Sequence, residues 1–308
     1  MSSSIAHEVE HQEPTFAAAG TLPDLFPPRK RRGPVAGFLH QHPTIVVGAV
    51  LLAFVIACAV LAPLLWTVDP GAISPVRRTR VPSAQYWFGT DMFGRDVYSR
   101  VMYGARVSLV VGFSVAILSS IAGVFIGLVS GFIRPLDAIV MRVMDALMSI
   151  PSILLAVALM ALSKGSVANV ILAITVAEIP RVARLVRGIV LSLREQPYVE
   201  AAIAAGSRTP KIIWQCILPN TLTPIIVQAT YICASAMITE AILSFIGAGT
   251  PTSIPSWGNI MSEGKAIWQV KPYIVFFPAI FLSITVLAVN LLGDGLRDAL
   301  DPRAAKRI

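Results

Sequence analysis

Few groups in this sequence could carry chemistry, and each lacks the companions its chemistry needs. His7-Glu8-Val9-Glu10-His11 matches the zinc pattern in which two histidines four apart on one helix face hold the metal and a glutamate acts as base. It lies in a polar stretch with no helix supported by packing, and the other histidines are His40 and His42, so the match reads as accidental. Gly258, Gly264, Lys265 and Ala266 approach a phosphate-binding loop, but the glycines are one residue too far apart and an alanine stands where Mg²⁺ needs a hydroxyl. Cys58, Cys216 and Cys233 fall in different elements, which indicates neither a disulfide framework nor a metal cluster. No catalytic, cofactor-binding or metal-ligating residue is assigned, and no cofactor is expected.

The remaining charged groups are notable for where they sit. Asp145, Glu178 and Glu240 fall in or beside long apolar stretches. A carboxylate well inside a membrane span costs roughly 2.5 to 3.5 kcal/mol on insertion scales, so Glu178 is expected to face protein or a water-filled cavity and have a partner. Asp137, Arg142 and Asp145 have the three-residue spacing that allows a pair on one helix face. Arg181, Arg184 and Arg187 recur every third residue as in a voltage sensor, but they run into a polar loop, so snorkelling towards water and lipid phosphate is the plainer reading.

The elements that would position these groups are apolar helices. Hydrophobic residues make up 55% of the 308 and charged residues only 14%, with a mean hydropathy of +0.72, far from a soluble chain in which about a quarter of residues are charged. The net charge of +8 brings no interleaved basic and aromatic stripe, so a nucleic-acid partner is not indicated; much of the charge flanks apolar spans, as in a membrane protein. Six apolar stretches are read as spans, at residues 44–66, 105–132, 138–162, 167–193, 222–246 and 273–292, each near or above the roughly 20 residues a bilayer needs. The domain plan is a polar tail over 1–43, a first helix over 44–68, an extracytoplasmic segment over 69–104, a core of five helices over 105–293 and a tail over 294–308. The basic run Arg29, Lys30, Arg31, Arg32 places both tails in the cytoplasm, although Arg77, Arg78, Arg80, Arg95, Arg100 and Arg106 then lie on or near the outside, against the positive-inside rule. Local ion pairing of Asp91, Arg95 and Asp96 is expected there. Gly123, Gly127 and Gly131 recur every four residues, the spacing that lets a second helix approach closely in lipid.

Between the fourth and fifth spans lies residues 193–220, LREQPYVEAAIAAGSRTPKIIWQCILPN. An alanine-rich arm favours helix, Gly206 breaks it, Ser207 is placed to cap a second arm that starts at Pro210, and Pro219 ends that arm. Ile212, Ile213 and Ile217 share one face of the second arm, which reads as a docking surface.

Here the chain resembles a known family. Glu200, Ala201, Ala202, Gly206, Ile217, Leu218 and Pro219 look like the loop by which ABC importer permeases seat in their ATPases. FGTDMFGRDVYSR (88–100), LSLREQPYVE (191–200), PIIV (224–227), LSFIGAG (243–249), PSWG (255–258) and NLLGDGLRDALDPR (290–303) are similar, in the same order, to the C-type permease of dipeptide, oligopeptide and nickel importers. The resemblance implies an all-α, polytopic protein of the bacterial inner membrane with six transmembrane helices in the type I ABC importer permease fold. It implies no enzymatic activity of its own, a second permease subunit, two ABC ATPase subunits, an extracytoplasmic solute-binding protein and membrane lipid as partners, and peptides as the cargo. A secondary transporter or channel subunit is the alternative, and would call for an internal repeat that the sequence does not display.

Overall fold

The computed structural model describes residues 42–163 and 165–300, and among these every regular element is helical. The histidine pair at 7 and 11, the basic run at 29–32 and the last tail residues lie outside the described residues. Helix α1 is Pro43–Val60, shorter than the sequence reading; a 3-10 turn, Ala62–Leu64, ends it. Helix α2, Val97–Phe132, starts eight residues before the expected span. Asp96 caps it by accepting a hydrogen bond from the Ser99 amide at 2.8 Å, which fixes the start and leaves the outer turns above the apolar stretch.

The expected third span is broken. Helix α3, Arg134–Met148, and helix α4, Ser152–Ala161, meet at 87°. Pro151 forces the break, because it disfavours helical backbone at Ile150 and has no N–H to continue a ladder. Helix α5, Val167–Arg194, is capped by Ser166, whose hydroxyl accepts from the Asn169 amide at 3.1 Å. Among the described residues, four helices are long and apolar enough to cross a membrane, or five if the bent pair counts as one span. Helix α5 has the length, but Glu178, Arg181, Arg184 and Arg187 take it out of that set, so composition and length support fewer than the six spans expected.

Two short helices follow, α6 at Pro197–Ala204 and α7 at Thr209–Ile212, then a π-helical turn at Ile213–Ile217 that runs into α8, Leu218–Phe245. Helix α9, Trp257–Gly264, is short, and α10, Tyr273–Leu300, closes the described chain.

Contacts between helices define their directions. Gly123, Gly127 and Gly131 on α2 lie against Val182, Val186 and Val190 on α5, in the same order, so α2 and α5 run parallel. Gly112 on α2 faces Met237 and Cys233 on α8, and Ser108 faces Glu240, so α8 runs antiparallel to α2. Thr230 of α8 meets Gly293 of α10, and Gly48 of α1 meets Ala288 and Leu292. The start of α1 and of α8 and the ends of α2, α5 and α10 therefore share one face of the bundle.

Candidate functional site: the loop at one face and the charged helix beside it

Residues 195–217 lie at that face, joining the end of α5 to the start of α8. Pro197 opens α6 in its first turn, where a missing N–H costs nothing, and Glu200 sits where a carboxylate favours the positive end of the helix dipole. Val199 is fully buried and Ala202 packs against the core, while Glu200 and Ala201 are exposed. Gly206 ends α6 with φ +75°. The Gly206 amide donates to the Ile203 carbonyl at 2.9 Å and the Ser207 amide to the Ala202 carbonyl at 3.0 Å, a Schellman closure that needs a left-handed residue at its turn. No atom lies within 4 Å of where a Cβ on Gly206 would stand, so backbone conformation, and not crowding, selects glycine.

Three expectations are corrected here. Ser207 does not cap the second arm; Arg208 holds that position without a side-chain bond. Pro219 does not end it, since Ile217 and Leu218 pass from the π turn into α8, where Pro219 occupies the first turn. Ile212 and Ile217, at 2% and 0% exposure, anchor the loop to the core instead of facing outwards. The exposed apolar side chains are Tyr198, Ile203 and Trp214, the last 71% exposed, and sequence reasoning passed over them because they follow no period.

The charged groups are tied across helices. Arg187 of α5 donates to Asp137 of α3, its Nη2 2.7 Å from Oδ2, and Arg184 pairs with Asp145. These pairs replace both the snorkelling read for Arg184 and Arg187 and the tie within α3, where Arg142 is exposed. Glu178 is 2% exposed, and its Oε2 lies 3.0 Å from Nη1 of Arg181 without hydrogen-bond geometry. Glu240 is fully buried and pairs with no cation among the described residues; its carboxyl accepts from the Ser244 hydroxyl at 2.8 Å and the Ser108 hydroxyl at 3.4 Å.

At the opposite face, Asp91 and Arg95 do pair, at 2.7 Å, but within a larger cluster: Asp91 also binds Arg100 at 2.6 Å, and Glu263 of α9 binds both arginines. Asp96 serves as the α2 cap instead of an ion-pair partner. Arg106 donates to the Ala59 carbonyl at 2.6 Å and caps α1. Half of the arginines that offended the positive-inside rule are therefore neutralised or used as caps. Glu263 was missed because nothing in its neighbourhood marks it as a partner of residues so far upstream.

A helical bundle of apolar spans, with charge tied inside it and a helical loop at one face, is the architecture of a membrane permease. The chain belongs to the family described as binding-protein-dependent transport system inner membrane component, whose model matches residues 119–306. It is 48% identical over 280 residues to the probable peptide ABC transporter permease protein y4tQ of Sinorhizobium fredii, covering 91% of this chain and 96% of that protein. The dipeptide transport system permease protein DppC of Alkalihalophilus pseudofirmus is 41% identical, with 86% and 88% covered, and the oligopeptide transport system permease protein OppC of Bacillus subtilis is 38% identical, with 85% and 86% covered. A chain of the MetNI methionine ABC transporter, solved in inward-facing conformations, superposes with a TM-score of 0.54 over 65% of this chain and 95% of that one; at 22% identity this shows the fold, that of type I ABC importer permeases. The protein is a multi-pass component of the inner membrane and a permease subunit, not an enzyme.

Proposed function

We propose that this chain is one of two permease subunits of an ATP-driven importer of di- or oligopeptides, and that residues 195–217 seat in a partner ATPase. The observation that carries the coupling role is the construction of the loop. Val199, Ile212 and Ile217 root it in the bundle, Gly206 fixes the angle between its arms, and Tyr198, Ile203 and Trp214 stay exposed for a partner. The names of the relatives support peptides as cargo, and the family's description as binding-protein-dependent supports a solute-binding protein outside. Helix α5 is counted as a sixth crossing. It runs parallel to α2, so the α3–α4 elbow must return the chain across the bilayer, and α5 lies at the depth of α2's apolar stretch.

The test is Gly206→Val in the complete complex, with pull-down of the ATPases and ATP hydrolysis stimulated by the loaded binding protein. Insertion should persist, because no span is altered, while ATPase association weakens and uptake is lost. Parental association and hydrolysis in that variant would refute the coupling role.

A further inference from the structure

Arg181 is in an unusual place. Helix α2 carries no charge over residues 107–133, and Gly123 in that stretch lies against Val182 of α5. By the helical rise along α2, the level of Arg181 is roughly 25 Å from Arg106 and roughly 16 Å from the far end of α2, where Arg134 opens α3. At that depth Arg181 keeps 49% of its side chain exposed on the outside of the chain. Hydrocarbon cannot solvate a guanidinium there, so this face meets water or protein and not lipid.

The surface beneath it agrees. From Arg184 towards the loop, α5 exposes Gly188 and Ser192 in a hollow of about 490 Å³, which shares Leu185 with a second hollow of about 440 Å³ lined by Thr223, Gln228, Tyr231 and Arg297. The contrast is with the hollow among α1, α2, α8 and α10, about 400 Å³, whose wall is almost wholly apolar, Phe113, Ile117, Ile121 and Ile226 among it. The two hollows beside α5 also hold Leu185, Ile189, Leu193, Pro224 and Val227, so this side has a mixed wall with polar groups in it, against an almost unbroken apolar one on the other.

We propose that the α5 face from Arg181 to Ser192 is this subunit's wall of the water-filled pathway, and that the Glu178–Arg181 pair is the contact for a passing peptide's carboxylate. Arg181 reaches one carboxylate, the buried Glu178, by a single guanidinium nitrogen, and the exposed remainder of its planar fork suits a second carboxylate. Glu178 holds the guanidinium over the pathway and keeps a carboxylate oxygen without a hydrogen bond. The ligand class rests on the peptide reading given above; the water-lined wall does not.

The experiment uses the complete importer in membrane vesicles, with Cys58, Cys216 and Cys233 replaced. A cysteine at Arg181 should react with a membrane-impermeant cationic thiosulfonate, at least tenfold faster than one at Phe113, and saturating dialanine with the binding protein and ATP should slow the reaction. In the cysteine-containing parent, Arg181→Gln should lower uptake of radiolabelled dialanine at least tenfold with parental yield of the assembled complex, and Arg181→Lys should recover part of it. An unreactive cysteine at 181 would overturn the pathway wall. Parental dialanine uptake in Arg181→Gln, or no rescue by lysine, would overturn the carboxylate contact. A parent complex that carries neither dialanine nor trialanine, while the cysteine still reacts, would sink the peptide reading and the carboxylate contact with it, and leave the wall standing.

Discussion

At Gly206 the cost of a side chain is set by backbone angle alone, since open space surrounds the position. Substitutions should therefore rank by tolerance of left-handed backbone and not by size. Asn should be nearly silent, Ala should cost about 1 kcal/mol, and Val on the order of 1 to 3 kcal/mol locally. ATPase pull-down across the three variants checks the ranking, and an order that follows volume would contradict it. Glu240 obeys a different rule. It stands among the hydroxyls of Ser108, Ser244 and Ser256 with no cation paired to it among the described residues, so an amide can serve as acceptor in its place. Glu240→Gln should keep the melting temperature of the detergent-purified complex close to the parent's. Glu240→Leu strands buried hydroxyls at about 1 to 3 kcal/mol each and should lower it by several degrees. Equal melting of the leucine variant would show that the hydroxyls find other partners.

Helix α2 owes its contact with α5 to the absence of side chains. A Cβ on Gly127 would stand 2.6 Å from the Val186 Cβ and 2.7 Å from the Ala183 carbonyl oxygen, neither of which a rotamer change can move, and 2.9 Å from a Val186 Cγ. Gly127→Ala should therefore cost about 1 to 3 kcal/mol through overpacking, read as a fall in thermal stability, and Val186→Ala should restore only part of it. Full restoration would place the clash in the side chain. The glycine period is legible in sequence because it repeats along one helix; the valines it meets are not, because their spacing is ordinary for any apolar helix. Prolines mislead in both directions. Pro151 lies within an apolar run long enough for one span and nevertheless turns the axis by 87°, whereas Pro219 marks an apparent stop at which the chain continues, because a π turn feeds directly into the first turn of α8.

Across the whole molecule, the proposed seating of residues 195–217 in an ATPase requires the shared face that gathers the loop, the start of α1 and the ends of α2, α5 and α10 to be cytoplasmic. Single cysteines at the exposed Ala72 and Ser253, in a cysteine-free chain, should react with an impermeant maleimide on intact cells, and one at Arg208 only after permeabilisation. Labelling at 208 alone would invert the arrangement. The spans and the loop could be read from composition and motif, since both are written in consecutive residues. The outer cluster could not, because Glu263 is separated by 163 positions from Arg100 and by 168 from Arg95. Removing its charge with Glu263→Gln should destabilise by about 3 to 5 kcal/mol, as expected when a buried ion loses its counter-charge, and a loss within experimental error would mean that water reaches the arginines. That separation also imposes an order on biosynthesis. While the ribosome is still making the middle of the chain, Asp91 faces two arginines alone, and the outer ion cluster cannot be completed until the α9 codons have been translated. The last quarter of the protein thereby inspects the first third, and a nascent chain halted before Glu263 should be recognised as unfinished and degraded, at a rate that pulse-chase labelling can measure.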